Sequence, residues 1–163
     1  MYKLLIVDDS EVQIQTVKRF IDVDMFSIGE IRTALDGAEA LDVYKEFKPD
    51  IIITDVVMPI MDGIEMTKEI RKLNPNVKFI YISCHEDYVY LNNAIKNDVL
   101  TYILKPIDEL SLVKGIEKAI AAIKSDEKYN SMSKLLNESL DVFRENFLYK
   151  MLYSKNINKD YLK

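Results

Sequence analysis

Apolar residues fall along this chain in two alternating rhythms: short unbroken runs, and longer stretches in which they recur every three or four positions. The runs read as buried strands and the longer spacing as one face of a helix. Leu4 to Val7 is the first run, and Val12, Ile14, Val17, Phe20 and Ile21 then keep helical spacing behind Ser10, the expected N-cap. Ile28 to Leu35 is a weaker strand centred on Ile31 to Ala34. Asp36-Gly37 follows as turn and cap, and Ala38, Ala40, Leu41, Tyr44 and Phe47 form a stripe that stops at Pro49. Ile51 to Ile53 is a third strand, closed by Asp55, Met58-Pro59 and Asp62-Gly63, after which Ile64, Met66, Thr67, Ile70 and Leu73 return to helical period as far as Asn74-Pro75. Phe79 to Ile82, a helix over Tyr88 to Ile95, and Tyr102 to Leu104 complete the alternation. The last helix of the series buries Leu112, Ile116, Ala119, Ile120 and Ile123, with Asp108 or Ser111 as its cap.

Five strand and helix pairs in about 125 residues predict an α/β fold. Short right-handed connections favour a five-stranded parallel sheet with helices on both faces, in the flavodoxin-like order 2-1-3-4-5. Beyond residue 124 the rhythm changes. Tyr129, Met132, Leu136, Leu140, Phe143, Phe147 and Met151 are spaced 3, 4, 4, 3, 4, 4, flanked by Leu135, Val142 and Leu148, which predicts a long C-terminal extension helix. The expected organisation is a domain over 1–124 and a helical linker or dimerisation segment over 125–163. The helix either folds back on its own domain or pairs with a second copy, because a stripe that broad does not stay exposed on a monomer.

Composition removes several classes. The net charge is −5 and the tail from Asp126 holds seven basic and six acidic residues, so the globular part is acidic and repels nucleic acid. A lone cysteine, Cys84, allows no internal disulfide and suits a reducing compartment. No apolar stretch approaches a membrane span and no signal-peptide layout opens the chain, so the expected location is cytoplasmic.

Chemistry gathers at the carboxyl ends of the strands, where open parallel sheets bind ligands. Asp8 and Asp9 follow the first strand, Asp55 the third, Ser83 the fourth and Lys105 the fifth. In the order 2-1-3-4-5 the first and third strands are neighbours, so the acidic pair faces Asp55 across the switch point. Two carboxylates about 4 Å apart repel by roughly 4 kcal/mol at an effective dielectric near 20, so the trio must take up protons or a cation. Its donors are hard oxygens, which suit Mg²⁺. A carboxylate on a metal, with a hydroxyl and an ammonium beside it, is equipped for phosphoryl transfer to Asp55, with Ser83 and Lys105 steadying the moving oxygens.

The stretches Leu5 to Asp9, Pro49 to Gly63, Ile82-Ser83 and Tyr102 to Pro106 resemble the signatures of the receiver domain of two-component response regulators. That resemblance covers residues 2 to about 124. It implies Asp55 as phosphoacceptor, Asp8 and Asp9 as metal-binding acids, Val57 as a backbone carbonyl ligand, Ser83 as switch hydroxyl, Tyr102 as switch aromatic and Lys105 as the active-site lysine. It also implies a cis Lys105-Pro106 bond and a sensor histidine kinase as donor. A phosphoryl group on Asp55 would pull Ser83 toward it and let the Tyr102 ring turn inward, which makes the fourth helix, fifth strand and fifth helix (Tyr88 to Ile123) the expected output face. Such a protein catalyses only its own phosphorylation and slow dephosphorylation, and is not otherwise an enzyme.

One departure concerns Asn97-Asp98, where most receivers carry a glycine; Asn and Asp still reach the left-handed conformation needed there. By the same resemblance, His85 and Val57 stand at positions that in the family flank the attacking water's path to the acyl phosphate. Val57 also disfavours a phosphatase of the haloacid dehalogenase kind, which places a second Asp at that point. A flavin carrier would need a Ser/Thr-rich loop in place of Asp8-Asp9. The segment from Leu135 to Leu152 is similar to the connector of response regulators that continue into an AraC-type DNA-binding domain. No such domain follows before Lys163, which suggests a truncated transcriptional regulator contacting DNA only through its missing part. The alternative is a stand-alone receiver acting as a protein-interaction switch.

Overall fold

The computed structural model describes residues 1–84 and 97–157, with side chains described up to 146 and at 148 and 149. Two compact units divide the chain, Met1–Ile123 and Lys124–Lys163. In the first, strands β1 (Tyr2–Val7), β2 (Ile28–Ala34), β3 (Ile51–Asp55), β4 (Lys78–Ser83) and β5 (Thr101–Leu104) form one sheet in the order β2-β1-β3-β4-β5, every pair parallel. Helices α1 (Glu11–Phe20), α2 (Gly37–Phe47) and α3 (Gly63–Leu73) follow the first three strands, and a C-terminal helix spans Glu109–Ile157. The helix expected over Tyr88 to Ile95, and His85 before it, lie outside the described residues.

The central strand explains the architecture. Ile51, Ile52 and Ile53 are completely buried, which requires cover on both faces. Alternate side chains enter two separate cores, as the two-residue period of a strand demands. Ile51 and Ile53 join Leu4, Ile6, Ile14, Val17, Leu112 and Ile116 on one side. Ile52 joins Leu5, Val7, Tyr44, Met66, Ile70 and Phe79 on the other.

Most local signals read from the sequence hold. Asp36 caps α2, its carboxylate accepting from the Ala38 and Glu39 N–H groups, and Asp62 caps α3 through Glu65. Asp108, not Ser111, caps the C-terminal helix, accepting from the Ser111 N–H at 2.8 Å. Asp98 takes φ 52° before β5, the left-handed conformation expected there. Three expectations need correction. Ser10 stands at the N-cap of α1 but its side chain makes no capping bond; its N–H donates to Asp8 at 2.9 Å instead. Val12 and Leu73, expected on the apolar stripes, are 74% and 63% exposed: Val12 is two positions from Ile14, about 160° around the helix and so on its outer face, and Leu73 is the last residue of α3.

Tyr81, at the heart of the second core, donates its hydroxyl to the Gly63 carbonyl at 3.4 Å, and burial pushes its phenol up to about 12. The unfolded phenol ionises near 10.0, so between these values the native state holds the proton that the unfolded state has lost. Stability therefore falls as pH climbs through that window, by on the order of 2 to 3 kcal/mol. Urea denaturation followed by circular dichroism is expected to show this decline, and Tyr81→Phe to reduce it. An identical alkaline slope in the variant would contradict the assignment.

Candidate functional site

Each strand delivers its last residue to one edge of the sheet. Val7 pairs with Thr54 across β1 and β3, so Asp8 and Asp9, immediately beyond, come level with Asp55. One carboxylate oxygen from each of Asp8, Asp9 and Asp55 lies within 4.8 Å of the other two. Asp8 and Asp55 are buried, at 3% and 8% exposure, while Asp9 opens to solvent. This is the juxtaposition expected from the order 2-1-3-4-5.

Lys105 reaches the trio from the end of β5. Its Nζ donates to Asp55 Oδ2 at 2.5 Å and to Asp8 Oδ2 at 2.9 Å. Burial works against this ammonium, but the bonds to Asp55 and Asp8 outweigh it and hold its pKa above the usual lysine value. Burial also pushes the Asp8 carboxyl up, against the lowering influence of Lys105 and the Ser10 N–H. The backbone positions the lysine: its own N–H donates to the Ser83 carbonyl at 2.8 Å, and the following Lys105-Pro106 bond is cis.

Ser83 is fully buried at the end of β4, directly across the ladder from Leu104. Tyr102 sits one residue inside β5, partly buried against the second core. Val57 follows Asp55 by two residues, is 44% exposed, and its N–H donates to Asp55 Oδ1 at 3.3 Å. Asp8, Asp9, Asp55, Val57, Ser83 and Lys105 thus gather at the carboxyl edge, while Tyr102 lies within β5, paired with Tyr81 two residues before the strand's end.

Sequence reasoning missed the supports. Thr54, fully buried, donates its hydroxyl to the Asp55 carbonyl at 2.8 Å. Gly63 returns the chain so closely that a Cβ there would stand 2.2 Å from the Asp55 carbonyl oxygen, and Gly63 N–H donates to Val56 at 3.0 Å. Gly63 was legible as a turn, but nothing in the sequence says which backbone it approaches.

A doubly wound parallel sheet with a carboxylate trio and a lysine at its switch point defines a receiver-type domain. The chain belongs to the response regulator receiver domain family, whose family model matches residues 4–117. It is the receiver domain of a two-component response regulator. Among curated relatives it is 33% identical to the uncharacterized transcriptional regulatory protein YesN of Bacillus subtilis (strain 168), over 88% of this chain and 39% of that protein. It is 31% identical to the transcriptional regulatory protein HptR of Staphylococcus aureus, over 82% of this chain and 52% of that one. The chain thus spans about two fifths to one half of the length of these relatives. Among solved structures, the receiver domain of AraT, a response regulator from Geobacillus stearothermophilus, superposes with a TM-score of 0.72 at 31% identity, covering 77% of this chain and 98% of that one. A two-component transcriptional regulator AraC from Clostridium phytofermentans ISDg gives 0.73 at 32%, covering 78% and 98%. Among the described residues no helix is long and apolar enough to cross a membrane.

Proposed function

We propose that this domain takes a phosphoryl group from a sensor histidine kinase onto Asp55, and that the modification switches a transcriptional output. The observation that carries the reading is the double contact of Lys105 Nζ with Asp55 and Asp8 beside Asp9. An Asp55 carboxylate oxygen attacks phosphorus in line; the new P–O bond forms as the P–N bond of the donor phosphohistidine breaks, its electron pair returning to the imidazole. Lys105 follows the phosphoryl oxygens, and the Ser83 hydroxyl donates to one of them.

The all-oxygen donor set, partly open through Asp9, fits Mg²⁺ held by Asp8, Asp9, Asp55 and the Val57 carbonyl. When bound, Mg²⁺ supplies positive charge that offsets the charge on the transferred group. Carboxylates this close together repel, and in this structure the Lys105 ammonium, in contact with both Asp8 and Asp55, offsets that repulsion.

Once Asp55 is modified, Ser83 moves toward it and the Tyr102 ring turns inward, changing the face formed by β5 and the C-terminal helix up to Ile123; the rest of the expected output face, from Tyr88, lies outside the described residues. Residues 1–124 act as the receiver and 125–163 as a linker that pairs two copies, through the C-terminal helix or through that face. In the second unit Met132, Leu136, Leu140 and Phe143 are more than half exposed, which supports pairing along the helix. The curated relatives are named as transcriptional regulatory proteins, which favours output through a DNA-binding partner domain over a stand-alone interaction switch. The setting is cytoplasmic, the domain's only catalysis is of its own modification, and self-dephosphorylation is slow.

Light scattering with and without beryllofluoride and Mg²⁺ tests this reading. The wild type is expected to change its association state and Asp55→Ala to stay unchanged. An equal response from both proteins, or none from the wild type, would refute it.

A further inference from the structure

The loop between β3 and α3 carries Asp55 at its start and Val57 two residues on, and it is strained. The Met61 N–H donates to the Pro59 carbonyl at 2.7 Å, closing a turn around Ile60, which stands at φ 68°. A β-branched residue resists that left-handed conformation, and it persists only where the surroundings over-determine it. One restraint is internal, the Gly63 N–H on the Val56 carbonyl at 3.0 Å. Another comes from a different strand and helix unit. The N–H of Gly37, first residue of α2, donates to the Met61 carbonyl at 3.0 Å.

That contact needs a residue without a side chain. A Cβ on Gly37 would stand 2.7 Å from the Met61 carbonyl oxygen and 2.7 Å from Met61 Cγ, closer than real Cβ atoms come to their neighbours. The Met61 side chain can swing aside. Its carbonyl cannot, because it moves only with the loop. The rest of the first turn of α2 is already satisfied: Asp36 accepts from Ala38 and Glu39 at 2.7 and 3.0 Å, so the Gly37 N–H is the donor left for the loop.

We infer that Gly37 is a positioning residue for the phosphoacceptor site: its bare Cα lets α2 hold the Met61 carbonyl, and that tie keeps the strained loop presenting Asp55 and Val57 together. The inference rests on the proposed Mg²⁺ site and goes beyond it, since Gly37 touches none of the site's carboxylates. It links the β2 and α2 unit to occupancy of the β3 edge. Loosening of the tie lets Ile60 relax toward negative φ and carries Val57 away from Asp55, whose Oδ1 it meets at 3.3 Å.

Calorimetric titration of Mg²⁺ into the whole chain tests this, with Gly37→Ala, Gly37→Ala combined with Met61→Ala, and Val17→Ala, a destabilising change in the opposite core. Gly37→Ala is expected to bind Mg²⁺ about tenfold more weakly, as removal of outer supports does at metal sites, while Val17→Ala stays within about twofold of wild type. The double variant keeps the defect, because the carbonyl and not the side chain is struck. Wild-type affinity in Gly37→Ala, an equal loss in Val17→Ala, or full rescue by Met61→Ala would each overturn the inference. Should Gly37→Ala fail to fold, amide exchange of the wild type decides: Gly37 is expected to exchange more slowly with Mg²⁺ and beryllofluoride, and unchanged protection overturns it. A wild type indifferent to Mg²⁺ instead brings down the site reading itself, and this inference with it.

Discussion

Asp55→Asn is expected to take up no phosphoryl group from a small-molecule acyl phosphate donor in the presence of Mg²⁺, as read by intact mass. The amide is nearly the same shape, so the fold and the neighbouring bonds survive, but its neutral oxygen is no longer a nucleophile and its nitrogen adds a donor facing Lys105. In the native site Asp55 Oδ2 lies 2.5 Å from the lysine, and the substitution turns that charge-assisted contact into a weaker one. Repulsion between Asp55 and Asp8 disappears at the same time, which opposes the loss, so stability should change little. The outcome that sinks the assignment is continued incorporation at the wild-type rate, which would place the acceptor elsewhere.

The second large effect concerns Lys105→Met. The lysine is the cation that the structure sets against two nearly buried carboxylates, with side-chain exposures of 4% for Asp8 and 10% for Asp55. Removing one partner of such a group typically costs about 3 to 5 kcal/mol, because the remaining charge stays buried without compensation. Asp8, already raised by burial, would rise further and take up a proton, which softens the loss in acid. The sign for Lys105 itself follows from its elevated pKa: its stabilisation is complete below the unfolded value of 10.5 and disappears as pH rises through the higher native value. Urea titrations should therefore show the variant destabilised at neutral pH, less so in mild acid, and largely restored by Mg²⁺. Phosphorylation from the same donor is expected to slow by about 10²- to 10³-fold, the usual cost of deleting a group that stabilises developing charge. A variant with wild-type stability and rate would show that Lys105 merely accompanies the acids.

Both predictions concern residues whose types and places were legible early, and the reason is periodicity. Runs such as Ile51 to Ile53 can be buried on both faces only in a covered parallel sheet, and the residue ending each run must then surface at the same edge. Asp8, Asp9, Asp55, Ser83 and Lys105 needed no coordinates to be grouped. The cap at Asp36 and the left-handed turn at Asp98 were equally visible, since each depends on a few neighbouring residues. Periodicity misleads where residues are counted into a stripe too loosely. Val12 is grouped with Ile14 and Val17 yet is exposed, because two positions from Ile14 is about 160° around a helix, which puts it on the outer face.

By itself, then, the order of residues determined the alternating architecture, the edge at which the chemistry collects and the kind of chemistry it is, since all three follow from short-range patterns repeated along the chain. Only the tertiary structure decided that Lys105 bridges Asp55 and Asp8, that Thr54 and Gly63 close on the Asp55 carbonyl, and that α2 grips the loop through Gly37 and Met61. Those contacts join residues from separate strand and helix units, some through backbone atoms that every residue shares, so their geometry appears only when the sheet brings the units together.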